Sequence, residues 1–109
     1  MDVQCSSLEE VRERIDQIDR AMVDLIAQRG GFVAQAARFK KDSADVRAPA
    51  RVEQVIAKVR ALADQRSASA EVVEQVYRAM IAAFIDEELR THAALKAEAD
   101  GSALRERSR

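Results

Sequence analysis

The sequence predicts an all-α protein, and three observations carry that expectation. Hydrophobic residues make up 48% of the 109 positions while aromatics make up only 4%, and there are just three glycines and one proline. Such a composition favours helix over sheet. Apolar residues from Leu8 onward recur at alternating spacings of three and four, the period of a helix seam rather than of a strand. A chain of this length also buries a modest fraction of its own surface, so a second subunit is expected to complete the core.

Helix one opens on Ser7, whose hydroxyl and the carboxylate of Glu10 three positions on can each satisfy a free backbone donor as a capping box. Residues 1–7 form a lead before it. The seam then runs Leu8, Val11, Ile15, Ile18, Met22, Leu25, Arg29, Phe32, Ala36 and Phe39. It keeps its phase through Gly30 and Gly31, although each glycine costs roughly 1 kcal/mol against alanine inside a helix. One helix of about 34 residues, from 8 to about 41, is therefore expected, roughly 50 Å long. Two shorter helices of the same chain cannot cover it, so the simplest solution is an intertwined homodimer with the long helices packed together.

Lys41 to Ala48 loses the periodicity and reads as a polar loop, and Pro49 suits the first turn of a second helix. That helix buries Val52, Val55, Ile56, Val59, Leu62 and Ala63 and fades at Asp64 to Ser69. Ser69 caps a third helix carrying Val73, Val76, Tyr77, Met80, Ile81, Phe84, Ile85 and Leu89, expected to end near Ala97. The domain thus spans 8–97, one long helix and two shorter ones, and residues 98–109 read as a disordered tail.

Charge and composition exclude several functions. Eighteen basic and nineteen acidic side chains leave a net charge of −1, which recruits neither nucleic acid nor an anionic membrane. One cysteine (Cys5) and one histidine (His92) provide no disulfide and no metal cluster, so neither metal nor cofactor is expected. No apolar run reaches membrane-spanning length and no leader pattern is evident, so the expected location is the cytoplasm. Serines near helix starts, far in sequence from His92, make no nucleophilic triad. The two glycines follow no strand and make no phosphate loop.

What stands out is a set of polar residues in apolar or electrostatically awkward places. Arg29 occupies the seam, where a guanidinium buried without a counter-charge would cost roughly several kcal/mol. A ligand carboxylate or an acidic residue of another helix should meet it. Lys40 lies eleven positions on, which in a continuous helix leaves it on nearly the same face about 16 Å away. Arg12 lies on a different face about 25 Å from Arg29 along the axis, and joins the same site only from another subunit. Arg47 and Arg51 bracket Pro49, with Arg51 opposing the dipole of its own helix. Glu88 has Ile81, Phe84 and Ile85 on its face of helix three, surroundings that favour the neutral, hydrogen-donating form. Each of these charged residues also has a structural reading as a solvated or paired side chain.

Five stretches, VRERIDQID, LIAQR, ARFKK, VRAPARV and YRAMIAAFIDEEL, together resemble the all-helical class of chorismate mutases, a family that includes the isochorismate pyruvate lyases. The resemblance covers about Leu8 to Leu95. It implies an intertwined homodimer with shared active sites, each built from one chain plus an arginine of the other, and a cofactor-free reaction on a small dicarboxylate, chorismate or isochorismate. By the same resemblance, Arg12 is the crossing arginine, and Arg12 and Arg29 bind the carboxylates. Lys40 and Glu88 face the ether oxygen, Arg51 holds the ring side, and the segment from Asp42 to Ala48, with Arg47, closes over the ligand. The implied activity is rearrangement of chorismate to prephenate in aromatic amino acid biosynthesis. The alternatives are release of pyruvate from isochorismate to give salicylate, a mutase acting on an amino-substituted chorismate, and a catalytically silent dimerisation or regulatory module. The chain departs from many mutases at Glu88, where they carry glutamine. It departs from several again at Val52, where they carry glutamate, a difference that leans toward the lyases.

Overall fold

A computed structural model describes residues 4–107, with side chains to Gly101. The order is α1 (Leu8–Ala36), a 3₁₀ turn (Ala37–Phe39), α2 (Ser43–Arg47), α3 (Pro49–Gln65) and α4 (Ala70–Arg107), with no strand among the described residues. The all-α class and the three main helices stand as expected. The chain divides into two compact units, one ending at Gln35 and the other beginning at Ala36.

The first unit is α1. Ser7 caps it as anticipated, its Oγ accepting from the Glu10 N–H at 3.1 Å. The return half of the capping box is displaced by one residue: Glu10 Oε2 accepts from the N–H and the hydroxyl of Ser6, at 3.0 and 2.8 Å. Those bonds hold the Glu10 carboxyl below its ordinary range, the backbone donor of Ser6 contributing most. The helix passes through Gly30 and Gly31 without a break. No residue of α1 is buried, and Ile18, Leu25 and Phe32 are 59%, 60% and 71% exposed. The seam of α1 is thus an open apolar stripe on the single chain.

The helix ends at Ala36 rather than near residue 41, which corrects the placement of Phe39 and Lys40. Ala37–Phe39 tighten into the 3₁₀ turn, and Lys40 leaves it with extended backbone at φ −97° and ψ 132°. The cause lies just downstream, in a second reciprocal cap. Asp42 Oδ1 accepts from the Asp45 N–H at 2.9 Å, and Asp45 Oδ2 accepts from the Lys41 N–H at 2.9 Å. These bonds start a new helix and compete with continuation of the old one. The presumed loop therefore contains α2, whose Val46 is buried. Lys40 also loses the helical phase that set it on one face with Arg29.

The second unit is an αα-hairpin with α2 packed on α4. Ala48, at φ 36° and ψ 60°, ends α2 and leads into α3 with Pro49 at its start. Ser67, at φ 56°, ends α3 in a Schellman turn: the Ala68 N–H reaches the Ala63 carbonyl at 2.9 Å and the Ser67 N–H reaches the Asp64 carbonyl at 3.4 Å. Ser69 then caps α4, its Oγ accepting from the Val72 N–H at 3.2 Å. Among the described residues the buried apolar ones are Val46, Ile56, Val59, Ala63 and Ile81, so the core lies between α3 and α4 with α2 at its side.

Helix α4 continues past Ala97 to Arg107, so the backbone of 98–107 is helical where the sequence suggests a frayed tail. Alanine and leucine at 97, 99, 103 and 104 are strong helix formers, and Gly101 is the lone breaker without a proline to enforce a stop. Residues 1–3 of the lead and 108–109 of the tail lie outside the described residues.

Candidate functional site

The two helices of the hairpin are linked by an ion network that the residue spacing does not announce. Arg78 donates to both carboxylate oxygens of Glu53, through Nη1 at 2.9 Å and Nη2 at 3.0 Å, and through Nε to Glu74 at 2.8 Å. Arg60 donates to the other oxygen of Glu74 at 2.6 Å, and its second amino group lies 3.9 Å from Glu71. Partners on α3 rise in number as those on α4 fall, so the helices are antiparallel. The Arg78 fork lowers the Glu53 carboxyl below its ordinary value, and Arg78 followed by Arg60 does the same for Glu74. Glu53 and Glu74 in turn raise the Arg78 guanidinium above its own. The i, i+4 spacing of Glu74 and Arg78 was the one sequence signal of this network.

Ten residues farther along α4, about 15 Å, Glu88 meets Lys40. Lys40 Nζ donates to Glu88 Oε2 at 3.0 Å and to Oε1 at 3.4 Å, with the side chains 23% and 11% exposed. The structure thus brings together two of the residues singled out from the sequence, by a route other than the one expected. Lys40 reaches the pair from extended backbone between the 3₁₀ turn and α2, while Glu88 reaches it from the interior of α4. Besides the apolar residues on its own helix face, Glu88 thus has the Lys40 ammonium at hydrogen-bond distance.

The other cationic candidates of this unit flank Pro49. Arg47 is the last residue of α2 and Arg51 sits in the first turn of α3, both exposed. The strained left-handed backbone of Ala48 makes the abrupt turn between them. Val52 is half-buried beside Arg51. In the first unit, Arg12 is exposed near the start of α1 and Arg29 is half-buried near its end.

An ammonium braced by a carboxylate, in a unit that also exposes the guanidinium groups of Arg47 and Arg51, suits binding and polarising an anionic ligand. No group of three His, Cys, Asp or Glu side chains among the described residues gathers where a metal ion could be held. No helix among the described residues is long and apolar enough to cross a membrane.

Comparison with known proteins places this arrangement in a family. Residues 11–89, which include Arg12, Arg29, Lys40, Arg51 and Glu88, match the family model described as chorismate mutase type II. The chain is also 31% identical over 86 residues to an isochorismate pyruvate lyase of Pseudomonas aeruginosa, a match covering 79% of this chain and 85% of that protein. With the matched span running from the first turns of α1 to the part of α4 that carries Glu88, the chain belongs to the chorismate mutase type II family.

Proposed function

We propose that the protein is a chorismate mutase, rearranging chorismate to prephenate. The observation that carries this reading is the Lys40–Glu88 pair: a half-buried ammonium held in a fixed place by α4, within a chain of the chorismate mutase type II family. The rearrangement is unimolecular and pericyclic. It requires a compact reactive conformer and a donor facing the ether oxygen, which gains negative charge as its C–O bond breaks. Lys40 is that donor. Arg29, together with Arg12 from a second copy of the chain, grips the two carboxylates through bidentate guanidinium forks. Arg51 holds the ring side, and Arg47 closes over the ligand at the α2–α3 junction. The open apolar stripe of α1 supports the homodimer that this sharing needs, since a second α1 would cover Ile18, Leu25 and Phe32.

A second reading is isochorismate pyruvate lyase, favoured by the Pseudomonas aeruginosa relative and by Val52, which leaves no carboxylate at that position to meet a ring hydroxyl. Both reactions are pericyclic and use the same cationic groups. Supplying purified protein with chorismate and with isochorismate in separate assays decides between them. Prephenate from the first is expected. Salicylate from the second alone establishes the lyase, and turnover of neither leaves a silent helical module.

A further inference from the structure

We infer that Arg78 is a positioning residue: by gripping Glu53 it fixes the first turn of α3 against α4, and with it the aim of Arg51 toward the ligand. The inference rests on the functional reading above, in which Arg51 holds the ring side of the substrate, and adds the residue that keeps Arg51 in place.

Apolar packing holds the first turn of α3 weakly. The buried residues of that helix, Ile56, Val59 and Ala63, all lie beyond Glu53. Pro49, Ala50 and Arg51 are exposed, which leaves half-buried Val52 as the covered side chain of the turn. Ahead of it the chain bends through the left-handed Ala48, whose carbonyl accepts from the Val52 N–H at 3.1 Å. Arg78 supplies what packing does not. Its Nη1 and Nη2 lie 2.9 and 3.0 Å from the two carboxylate oxygens of Glu53 on α3, and its Nε lies 2.8 Å from Glu74 on its own helix. All three guanidinium nitrogens are engaged, two across the hairpin and one along α4. A lone exposed ion pair contributes little, but a two-pronged fork whose donor is itself held by a second carboxylate fixes geometry as well as charge. Glu53 stands two positions after Arg51, a rotation of about 200°. The fork therefore holds the turn from one side and leaves Arg51 free on the other, where it is exposed. Fraying of that turn would carry the Arg51 guanidinium away from a ligand at the α2–α3 junction. Arg60 provides the contrast: it bridges to the same Glu74, at 2.6 Å, but from about 14 Å farther along α3, past the buried Ile56 and Val59.

The test begins with the backbone, without substrate. In Glu53→Gln the amide hydrogens of residues 52–54 should exchange about threefold faster than in wild type or more, and in Arg60→Gln they should keep the wild-type rate. No acceleration in Glu53→Gln, or an equal one in both variants, overturns the inference whatever the enzyme turns over. If wild type converts neither chorismate nor isochorismate, the functional reading falls and the exchange result alone decides on the grip of Arg78. In the active enzyme, Arg78→Gln and Glu53→Gln should each raise KM about threefold with kcat within about twofold of wild type, since Arg51 binds substrate and transition state alike. Arg60→Gln should lower the melting temperature comparably and keep the wild-type KM. In an Arg51→Ala background, Glu53→Gln should change KM less than about 1.5-fold. A full threefold rise in that background, or a wild-type KM in both Arg78→Gln and Glu53→Gln, shows that the network stabilises the hairpin and does not position Arg51.

Discussion

Lys40 and Glu88, 48 residues apart in the chain, meet with Nζ 3.0 Å from Oε2. The pair joins the segment before α2 to the interior of α4. Replacing Lys40 by methionine keeps the stem and removes the charge, leaving a largely covered carboxylate without its donor. The expected result is a loss of stability of about 1–2 kcal/mol in denaturant titration and a fall in kcat/KM of about a hundredfold or more. Unchanged turnover with reduced stability makes the pair structural.

Arg29 separates the structural from the functional reading of the α1 seam. Arg29→Ala is expected to lower kcat/KM by about two orders of magnitude or more, while sedimentation shows the same oligomer as wild type. Dissociation of the oligomer with activity retained at high protein concentration assigns the guanidinium to the seam instead.

A site shared between copies predicts complementation. Arg12→Ala and Lys40→Ala chains, each inactive alone, should regain activity when unfolded together and refolded, because a mixed dimer carries one intact site. About a quarter of wild-type activity is expected for random pairing. No recovery, with mixed dimers demonstrated by mass spectrometry, confines the site to one chain.

The α3–α4 network makes stability depend on acid. The Glu53 and Glu74 carboxyls are depressed below their ordinary value of 4.5 by Arg78 and Arg60. A folded value below the unfolded one means a contribution fully present above about pH 4.5 and lost as pH falls through the depressed values. The melting temperature should therefore hold from neutral pH to about pH 5 and decline below it. Glu74→Gln should melt lower at neutral pH and decline less in acid. Added salt should shrink the difference, since these side chains lie near the surface.

Ser67 offers a stabilising substitution. Its φ of 56° stands at a helix C-terminus where glycine adopts the left-handed conformation without a Cβ clash. Ser67→Gly is expected to raise stability by about 0.5–1 kcal/mol in denaturant titration, with activity unchanged. A lower midpoint shows that the serine side chain contributes more than its strain costs.

Much of the fold was legible because it rests on local rules. Ser7, Pro49 and Ser69 mark helix starts by capping chemistry that acts within one turn, and the apolar period of α3 and α4 marks the faces that form the core. The end of α1 was misjudged because the seam keeps its phase to Phe39, while Asp42 and Asp45 end the helix through side-chain bonds. That pair is itself a cap signature of the kind recognised at Ser7. Among the site candidates, Lys40 and Glu88 were singled out for reasons internal to their own helices, a face shared with Arg29 and an apolar surround. The first reason fails once Lys40 leaves the helix, and the second says nothing of the partner that a distant segment brings to Glu88.

Sequence alone determined the helical class and the three main helices, because composition, period and capping are properties of neighbours along the chain. Only tertiary structure decided that Lys40 meets Glu88 and that Arg78 clasps Glu53 across the hairpin. Those contacts span 48 and 25 residues, and their geometry depends on how α3 and α4 pack and where the chain turns before α2. A side chain's partners are set by what the fold brings within a few ångströms of it, which no spacing along a single helix specifies.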